Sequence, residues 1–547
     1  MGFLDVIVEA LARDPARVAL KDDAGAPISA AALQARAAQA RAGLRARGVG
    51  PGDRVALLGR NTPDWIACDL ATLAEGAALV PLDPRQDAAE RRALVRDAGA
   101  KLTVVDDPAL LGEVEGAVTL EALAAPHAGA AWTPPAQVEG RRPATIIYTS
   151  GSTGEPKGAV LTRDNLDFVL AHTTLRLARL TGAPWGAERV VQALPLCYAG
   201  SRVLLLSSLQ RGACVRLLAD PRGLGAALEA EAPHYLLTVP LILERMRRAV
   251  HERVASKGAA LARLLREAEA AWARLDEARH GGARASLRDR AVVGLCRWLL
   301  LRPVRARIAK ALRGIICGSA PLLPEQQRFF TLLGVEVYQG YGLTETTALC
   351  TLDVEGRVRA GWVGPALPGV EMKVDEGGQV LVRGPNVFAG YWGQPAGVGL
   401  RDGWFETGDL GDVDADGRWR ITGRRSAVLA LSTGHKVAPE PLEDALRVLL
   451  GAQGAGDAQV VVVGHARPHL AVLVAGAADA QVAAALAAHN AAAEPKRRVH
   501  GFALLDAPLT TEGGLLTPNL KLRRAAILSR YAAEVERLFA RPAVATA

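Results

Sequence analysis

The stretch Tyr148-Thr-Ser-Gly-Ser-Thr-Gly-Glu-Pro-Lys157-Gly decides how the rest of the chain is interpreted. It begins at the end of a β-branched segment, ATIIYT at 144–149, which predicts a strand. Three glycines and four Ser or Thr hydroxyls allow the backbone to wrap a polyanion with N–H and O–H donors. Lys157 adds a positive charge for a phosphate, and the spacing of a Walker A loop is absent. The stretch therefore predicts a phosphate-binding loop rather than a flexible Gly/Ser loop without a ligand.

Strand-like and helical segments alternate outside this loop. Residues 53–59 and 101–105 predict buried strands, and the charged stretch 86–99 between them predicts a helix. Such alternation predicts an α/β fold with largely parallel sheets.

The C-terminal part of the chain predicts a second, smaller domain. After residues 404–424, which are dense in Gly and Asp, a compact α/β unit follows. It contains a helix near 439–450, strands at 459–464 and 469–475, and a helix near 478–490. We place the boundary at Arg424–Ser426, which gives one domain at 1–424 and another at 425–547.

The composition excludes several classes of protein. Half of the 547 residues are hydrophobic, which excludes global disorder. The net charge of +8, from 65 basic and 57 acidic residues, does not by itself indicate nucleic acid, and none is expected. The six cysteines form no CxxC pair and have no His pair at ligand spacing beside them. A disulfide scaffold or zinc ribbon is therefore not expected, and scattered free thiols fit a reducing cytoplasm.

The N-terminal stretch MGFLDVIVEALARDP predicts an amphipathic helix rather than a signal peptide. It lacks a basic region before its apolar residues and carries Asp5 and Glu9. No run of 18 uncharged apolar residues occurs, so no membrane span is expected. A cytoplasmic protein is the expectation, and the sequence does not indicate an oligomeric state.

The basic character of the chain is concentrated at 245–313. This segment has 18 basic and 6 acidic residues, a net charge of +12, so the rest of the chain carries −4. Leu261, Leu265, Trp272 and other apolar residues fall at helical spacing. The segment is either a solvated helical face with an arginine bias or a patch that faces anionic lipid at the inner side of the membrane.

The phosphate loop and five further blocks resemble those of the adenylate-forming superfamily, which includes acyl-CoA synthetases, luciferases and peptide-synthetase adenylation domains. In chain order the further blocks are Ile316-Cys-Gly-Ser-Ala-Pro-Leu322, Gly340-Tyr-Gly-Leu-Thr-Glu-Thr346, Trp404-Phe-Glu-Thr-Gly-Asp-Leu410, Ile421-Thr-Gly-Arg424 and Leu516-Thr-Pro-Asn-Leu-Lys521. The resemblance implies a large N-terminal α/β adenylation domain of several subdomains and a small, mobile C-terminal α+β lid domain.

The resemblance implies that the large domain holds ATP and Mg²⁺. Glu345 would hold Mg²⁺, which prefers hard oxygen ligands, and Thr344 would bond a phosphate oxygen. The phosphate ligands would be Thr149, Ser150, Gly151, Ser152, Thr153, Gly154 and Lys157. The residues against the flat base would be Gly318, Ser319, Ala320 and Tyr341.

Three further residues take roles by resemblance. Asp409 would accept from both ribose hydroxyls, although Gly408 beside it also allows a simple turn. Arg424 is a permanent cation for the ribose and phosphate region. Lys521 would be the catalytic cation that stabilises the charge built up when a carboxylate attacks the α-phosphorus. The alternative for Lys521 is a solvated lysine in a basic stretch, since Arg523 and Arg524 follow it.

Several stretches resemble long-chain members of the superfamily. They are Asn61-Thr-Pro-Asp-Trp65, Gly76-Ala-Ala-Leu-Val-Pro81, Val382-Arg-Gly-Pro-Asn-Val-Phe-Ala-Gly-Tyr391 and the basic helical segment. The chain departs from the family in having Cys197-Tyr198 where an aromatic residue and His are usual, so Tyr198 would gate entry of the carboxylate. Gly434 would line the tunnel of the thiol.

The resemblance therefore implies an AMP-forming ligase that converts a long-chain fatty acid to acyl-AMP and then to a thioester with coenzyme A. The alternative is an enzyme that stops at acyl-AMP or loads an acyl carrier protein. Such enzymes usually carry an insertion in the small domain, and no extra length is present there. A non-catalytic binding protein is disfavoured by the intact Lys157, Glu345, Asp409 and Lys521.

Overall fold

A computed structural model of the chain describes residues 2–114, 116–150, 156–280, 286–395, 397–511, 513–516 and 521–540. Its contacts divide the chain into two compact units. The first comprises Met1–Lys373, Leu381–Glu406 and Val413–Arg420, and the second comprises Val374–Val380, Thr407–Asp412 and Ile421–Ala547. The predicted domain boundary at Arg424–Ser426 stays a prediction.

The two largest sheets lie in the first unit. The six-stranded sheet has the order Val118–Thr119, Leu102–Val105, Arg54–Leu58, Ala78–Leu82, Pro143–Ser150 and Pro156–Thr162. The eight-stranded sheet has the order Thr351–Leu352, Glu336–Tyr341, Gly314–Cys317, Tyr235–Thr238, Arg189–Gln192, Cys214–Leu217, Val18–Lys21 and Pro27–Ser29. All neighbours pair in parallel except Pro143–Ser150 with Pro156–Thr162 and the two end pairs of the larger sheet. The predicted α/β architecture with largely parallel sheets is confirmed.

Helices cover both sheets of the first unit. They are Phe3–Arg13, Ala30–Ala46, Pro63–Ala74, Ala88–Asp97, Leu120–Ala124, Arg163–Thr181, Ala199–Gln210, Leu224–Glu231, Pro240–Ala255, Ala259–Arg279, Leu287–Cys296, Arg302–Ile308 and Pro324–Leu333. The predicted N-terminal helix and the helix expected at 86–99 are among them. None of the helices in the described ranges combines the length and apolarity that crossing a membrane requires.

The helix Pro63–Ala74 illustrates how sequence and packing agree. The Thr62 side chain accepts from the Trp65 N–H at 3.1 Å, and Pro63 stands where a helix needs no N–H donor. All of its residues except Asp64 are buried, as expected for a helix that is apolar on every side. It shares one core with Leu57 of the smaller sheet and Val190 of the larger sheet, so helices lie between the two sheets.

The second unit is built on a three-stranded sheet of Gln459–Val463, Leu470–Ala475 and Val499–Leu504. Alternate side chains of these strands enter two cores on opposite faces of the sheet, as strand geometry requires. The helices are Pro439–Ala452, Asp479–Ala492, Arg524–Arg530 and Ala532–Ala540, and a hairpin joins Leu429–Ala430 to Lys436–Val437. The helices and strands expected at 439–450, 459–464, 469–475 and 478–490 are confirmed within a few residues.

Candidate functional site

Two of the sequence blocks meet at one edge of the eight-stranded sheet. The parallel strands Gly314–Cys317 and Glu336–Tyr341 are neighbours, with Cys317 opposite Gln339. Their carboxyl ends therefore bring Gly318 next to Gly340, which is the edge where α/β sheets bind ligands. A Cβ atom at Gly318 would lie 3.1 Å from the Gly340 carbonyl oxygen, so a small residue is needed there.

The residues predicted to hold the base lie at this edge. Ser319 has a φ of 70°, a left-handed conformation that is uncommon for a residue with a side chain. Ser319 and Ala320 are exposed, and Gly318 is half-buried. The Tyr341 ring is mostly buried, with 9% of the residue exposed. Their contact with a base stays a prediction.

A tight turn after Tyr341 positions Thr344 and Glu345. A Cβ atom on Gly342 would lie 2.2 Å from the Ala348 carbonyl oxygen, so only glycine fits at this position. The chain then forms a 3₁₀ turn, Thr344–Thr346, and the Phe388 N–H donates to the Glu345 carbonyl at 2.8 Å. Both Thr344 and Glu345 are half-buried, so their side chains remain accessible to a ligand.

The Glu345 carboxylate is held by two hydroxyl groups. The Tyr391 hydroxyl donates to Glu345 Oε1 at 3.0 Å, and the Thr149 hydroxyl donates to the same oxygen at 3.4 Å. Lys157 Nζ lies 5.5 Å from the centre of the Tyr391 ring, within the range of a cation–π contact. The structure thus brings together Thr149, Lys157 and Glu345, which come from blocks far apart in the chain.

The strands explain why these side chains converge. Pro143–Ser150 and Pro156–Thr162 pair antiparallel with Thr149 opposite Lys157. The segment that contains Tyr391 adds to the second of these strands, because the Trp392 N–H donates to the Gly158 carbonyl at 2.7 Å. The predicted loop residues Gly151, Ser152, Thr153 and Gly154 and the side chain of Ser150 lie outside the described residues.

Tyr391 is a site residue that sequence reasoning missed. It ends the block Val382–Tyr391, which in the sequence indicates only the substrate class. Its role depends on a contact with Glu345, 46 residues earlier in the chain, so spacing alone could not have identified it.

The oxygen atoms around Glu345 are of the kind that bind a magnesium ion. Mg²⁺ usually binds proteins through one or two carboxylates and takes its remaining ligands from substrate phosphates and water. In the described part of the chain, no group of three or more His, Cys, Asp or Glu side chains is placed to hold a metal. A single carboxylate beside hydroxyl groups therefore fits Mg²⁺ that is bound together with a nucleotide.

Tyr198 belongs to a second hydrogen-bonded cluster of the first unit. Its hydroxyl donates to Asp83 Oδ2 at 2.7 Å, and Arg85 forms two hydrogen bonds with the same carboxylate at 2.9 and 2.7 Å. Asp83 is buried and directly follows the strand Ala78–Leu82. Its position after the carboxyl end of a parallel strand is the signal that could have identified it.

The electrostatics of this cluster keep the Tyr198 hydroxyl protonated. Burial raises the pKa of Tyr198, and the nearby Asp83 carboxylate raises it further. Burial would also raise the pKa of Asp83, but the hydrogen bonds and charge of Arg85, with the Tyr198 hydroxyl, outweigh it and lower that pKa. Tyr198 is therefore fixed as a hydrogen-bond donor at the start of the helix Ala199–Gln210.

In the second unit, Asp409 and Arg424 form an ion pair. Arg424 Nε donates to Asp409 Oδ1 at 2.7 Å, and Asp409 is buried whereas Arg424 is exposed. The Asp409 N–H donates to the Thr407 hydroxyl at 3.0 Å, which fixes the backbone beside the carboxylate. The two residues predicted to bind ribose and phosphate thus lie side by side, and their contacts group them with the second unit.

Lys521 is exposed, but the chain on both sides of it is anchored. Leu516 and Leu522 form an antiparallel bridge, and the Arg523 N–H donates to the Leu515 carbonyl at 2.9 Å. Arg524 Nη2 pairs with the buried Glu443 at 2.6 Å. Since Arg524 is paired within the unit, the stretch is not simply a run of solvated cations.

Gly434 lies exposed in the hairpin of the second unit with a φ of 84°. Its N–H donates to the Leu431 carbonyl at 2.9 Å, so the left-handed conformation belongs to a tight turn. Among the residues that the structure describes, no atom outside its chain neighbours lies within 4 Å of where its Cβ would be.

Two family models match the chain. The model of the AMP-binding enzyme family matches residues 7–392, and the model of the AMP-binding enzyme C-terminal domain matches residues 426–543.

The chain is similar to curated enzymes and to a solved structure along nearly all of its length. It is 29% identical to the long-chain-fatty-acid–CoA ligase FadD15 of Mycobacterium bovis, over 93% of this chain and 91% of that protein. It is 25% identical to the chloroplastic long-chain-fatty-acid–[acyl-carrier-protein] ligase AEE15 of Arabidopsis thaliana, over 91% of this chain and 80% of that protein. ATP-bound MatB from Rhodopseudomonas palustris is 25% identical, with a TM-score of 0.75, and the alignment covers 97% of this chain and 99% of that one. The predicted fold class is confirmed.

Proposed function

The chain belongs to the AMP-binding enzyme family, and from this premise we propose that it activates a long-chain fatty acid with ATP and transfers it to coenzyme A. Membership confirms the resemblance drawn from the sequence blocks, together with the expectation of an AMP-forming, ATP-binding ligase. ATP and Mg²⁺ are confirmed as cofactors at the level of the family. The acid, the acceptor and the roles of individual residues belong to the proposal.

The cluster around Glu345 carries the proposal. Lys157, Thr149 and Glu345 combine a cation, a hydroxyl donor and a carboxylate within one small region, and a polyphosphate with its Mg²⁺ needs all three. Mg²⁺, when bound, would neutralise phosphate charge and thereby favour loss of pyrophosphate. Tyr391 holds the Glu345 carboxylate in place for this task.

The first step joins the acid to the nucleotide. The carboxylate of the acid attacks the α-phosphorus of ATP, and the bond to pyrophosphate breaks, which leaves acyl-AMP. Thr344 and the loop from Thr149 to Lys157 would hold the phosphates, and Tyr341 with Gly318 to Ala320 would hold the base. Asp409 would accept hydrogen bonds from the ribose, and Arg424 would lie close to the ribose and phosphate. Lys521 would stabilise the negative charge that develops on the reacting oxygens.

The second step releases the product. The thiol of coenzyme A attacks the acyl carbonyl carbon, the bond to the phosphate oxygen breaks, and AMP leaves as the acyl thioester forms. Gly434, exposed in its hairpin, would border the path of the thiol.

Tyr198 is the proposed substrate-binding residue for the acid. Its protonated hydroxyl and the Arg85 guanidinium surround Asp83 at the start of a helix whose Leu204, Leu205 and Leu206 are buried. Because the Tyr198 hydroxyl donates its one proton to Asp83, the acid would meet the Arg85 guanidinium, which Asp83 and Tyr198 hold in place, and the apolar helix would follow for the hydrocarbon tail. The similarity to FadD15 supports a long-chain acid.

The alternative is an enzyme that forms acyl-AMP or loads a carrier protein without using coenzyme A. The similarity to the acyl-carrier-protein ligase of Arabidopsis supports it. We favour coenzyme A because the match to FadD15 is closer and extends over more of both proteins.

One experiment separates the two. The purified full chain is incubated with ATP, Mg²⁺ and a series of fatty acids of increasing length, with and without coenzyme A, and pyrophosphate, AMP and acyl-CoA are measured. We expect acyl-CoA and AMP to form together only when coenzyme A is present. Accumulation of acyl-AMP that coenzyme A does not consume would favour the alternative, and no pyrophosphate with any acid would contradict both.

For localisation, the proposal is a cytoplasmic enzyme with peripheral contact at the inner face of the membrane. The net charge of +12 in the basic segment at 245–313 supports this.

A further inference from the structure

The last part of the basic segment is a continuous helical run with an unusual outer face. The helix Leu287–Cys296 continues through a π-helical turn, Arg297–Leu301, into the helix Arg302–Ile308. Its inner side carries Val293, Cys296 and Leu300, which are buried in the core of the first unit. The inner side therefore anchors the run, and none of the cores formed by the described residues includes its outer side.

The outer side of the run carries apolar residues, whereas the solvent-exposed side of a surface helix is usually polar. Leu287, Leu295, Trp298 and Leu299 are 81%, 50%, 65% and 43% exposed. Leu295 lies eight residues after Leu287, with the exposed Ala291 halfway between them, and Trp298 and Leu299 lie three and four residues after Leu295, so the four share one side of the helix. We refer to these four residues as the apolar face. Single exposed apolar residues are common, whereas a contiguous group marks an interaction surface.

Trp272 in the same segment shows how this chain treats a tryptophan that serves the fold. Trp272 is 6% exposed, its Nε1 donates to the Thr331 hydroxyl at 2.9 Å, and Arg279 and Arg297 stack on its ring. Trp298 is exposed and is given none of these contacts within the described residues. Trp298 therefore does not serve the fold in the way that Trp272 does.

Positive charge surrounds the apolar face. Arg288, Arg302 and Arg305 are exposed and fall at the same helical spacing, and no acidic partner is found for Arg302 and Arg305 among the described residues. Asp289, which is the acidic residue of 286–310, is buried and paired with Arg274 at 2.5 Å. The surface thus combines a tryptophan and leucines with uncompensated arginines.

We propose that this face docks on an anionic lipid bilayer. A helix lying in the headgroup region has leucines and a tryptophan on one side and basic residues around them. If a second copy of the chain bound face to face, the arginines of both copies would come together. Repulsion between these like charges disfavours such a dimer. Nucleic acid would match the arginines but would leave the leucines without an apolar partner. A bilayer complements both.

The proposal that this face binds a bilayer rests on the geometry of the helix. Only the benefit of docking for the enzyme rests on the proposed function. A docked enzyme would meet a water-insoluble fatty acid where that acid partitions. The binding test below requires neither ATP nor an acid, so failure of the proposed activity would not affect its result.

The test is co-sedimentation of the full chain with vesicles of phosphatidylcholine alone or of phosphatidylcholine mixed with phosphatidylglycerol. We expect sedimentation with the mixed vesicles at low salt and its loss at high salt, because exposed charges are screened. Arg302→Gln should lower the partition constant about five-fold, which is the effect of one basic residue near an anionic surface. Trp298→Gln and Leu295→Gln should each weaken binding at every salt concentration.

Matched variants on another surface provide the control. Leu175 is 52% exposed in the helix Arg163–Thr181, and Arg92 is exposed in the helix Ala88–Asp97. Leu175→Gln and Arg92→Gln should bind vesicles as the unchanged protein does. Circular dichroism and thermal unfolding should be the same for all variants, since none of these side chains is buried.

The proposal is overturned if the unchanged protein does not sediment with mixed vesicles at low salt. It is also overturned if Leu175→Gln weakens binding as much as Leu295→Gln does. Sedimentation velocity without lipid tests whether the apolar face binds a second copy of the chain instead. A dimer that dissociates in Trp298→Gln would assign the face to that second copy and overturn the proposal.

Discussion

Glu345 in the first unit and Lys521 in the second are both predicted catalytic residues, yet the protein presents them in opposite ways. The Glu345 carboxylate is half-buried and accepts hydrogen bonds from two hydroxyls, so its oxygen atoms are positioned before any ligand arrives. The Lys521 side chain is exposed, and the structure anchors the chain on either side of it. A group that holds Mg²⁺ throughout a reaction benefits from a fixed position. A lysine needed in only one half-reaction benefits from an anchored backbone and an exposed tip.

The largest expected effect is that of Lys521→Ala, which tests the role of the exposed lysine in this comparison. Loss of the cation should lower acyl-AMP formation by about 10²-fold or more, because the developing charge is no longer stabilised. Thioester formation from supplied acyl-AMP should be mostly retained. ATP–pyrophosphate exchange measures the first step, and Lys496→Ala, another exposed lysine of the second unit, serves as the control. Exchange that survives in Lys521→Ala would remove Lys521 from the catalytic role.

Glu345→Gln tests the role of the carboxylate that the two hydroxyls hold in place. The amide can still accept from Tyr391 but has no charge for Mg²⁺, so we expect adenylation to fall by roughly 10–100-fold, as when the surroundings of a metal ligand are damaged. The loss should shrink as the Mg²⁺ concentration is raised. Tyr391→Phe, which keeps the carboxylate and removes one hydroxyl donor, should have a smaller effect of the same kind. An Mg²⁺ dependence identical to that of the unchanged protein would contradict the assignment of Glu345.

Asp409→Ala asks whether a buried carboxylate of the second unit acts on the nucleotide. Each charge-assisted hydrogen bond to the ribose that is lost should weaken ATP binding by roughly 1.5–3 kcal/mol. Calorimetry with ATP and with 2′-deoxy-ATP makes the test specific. The unchanged protein should prefer ATP, and Asp409→Ala should bind both nucleotides with similar affinity. If the preference for ATP persists in the variant, the ribose contact lies elsewhere.

Tyr198→Phe should have the smallest effect and sharpens the comparison within the first unit. The change removes the hydrogen bond to Asp83 but leaves Arg85 paired with that carboxylate. Arg85 and Asp83 would lose one hydrogen bond that holds them for the acid, worth about 0.5–1.5 kcal/mol, so the KM for the acid should rise by at most roughly 10-fold. The KM for ATP should not change. Equal changes in both constants would mean that Tyr198 supports the fold rather than the acid site.

Local patterns are enough to predict several strands and helices in both units. β-Branched residues predict the strand at 144–149, and alternating apolar segments predict the unit after residue 424. These patterns succeed because the period of a buried face is set by backbone geometry, which is the same in every protein. The order of the blocks, each with its own spacing, was enough to indicate the family.

Contacts between distant parts of the chain could not be predicted in this way. Nothing near Tyr391 in the sequence indicates that its hydroxyl reaches Glu345, and Asp83 carries no signal that it binds Tyr198, 115 residues later. The same limit applies to the basic segment. Its charge is visible in the sequence, but only folding determined that Trp272 is buried and Trp298 is exposed.

The sequence by itself determined the fold class, the family and the residue types available for binding a nucleotide, because these depend on local spacing and on chemistry that each residue carries alone. The tertiary structure decided which of those residues meet. Tyr391 was brought onto Glu345 by the pairing of its segment with the strand Pro156–Thr162, and Trp298 was left exposed because the helix buries Val293, Cys296 and Leu300 on its other side. Such outcomes depend on how a whole sheet or helix packs, which no single stretch of sequence contains.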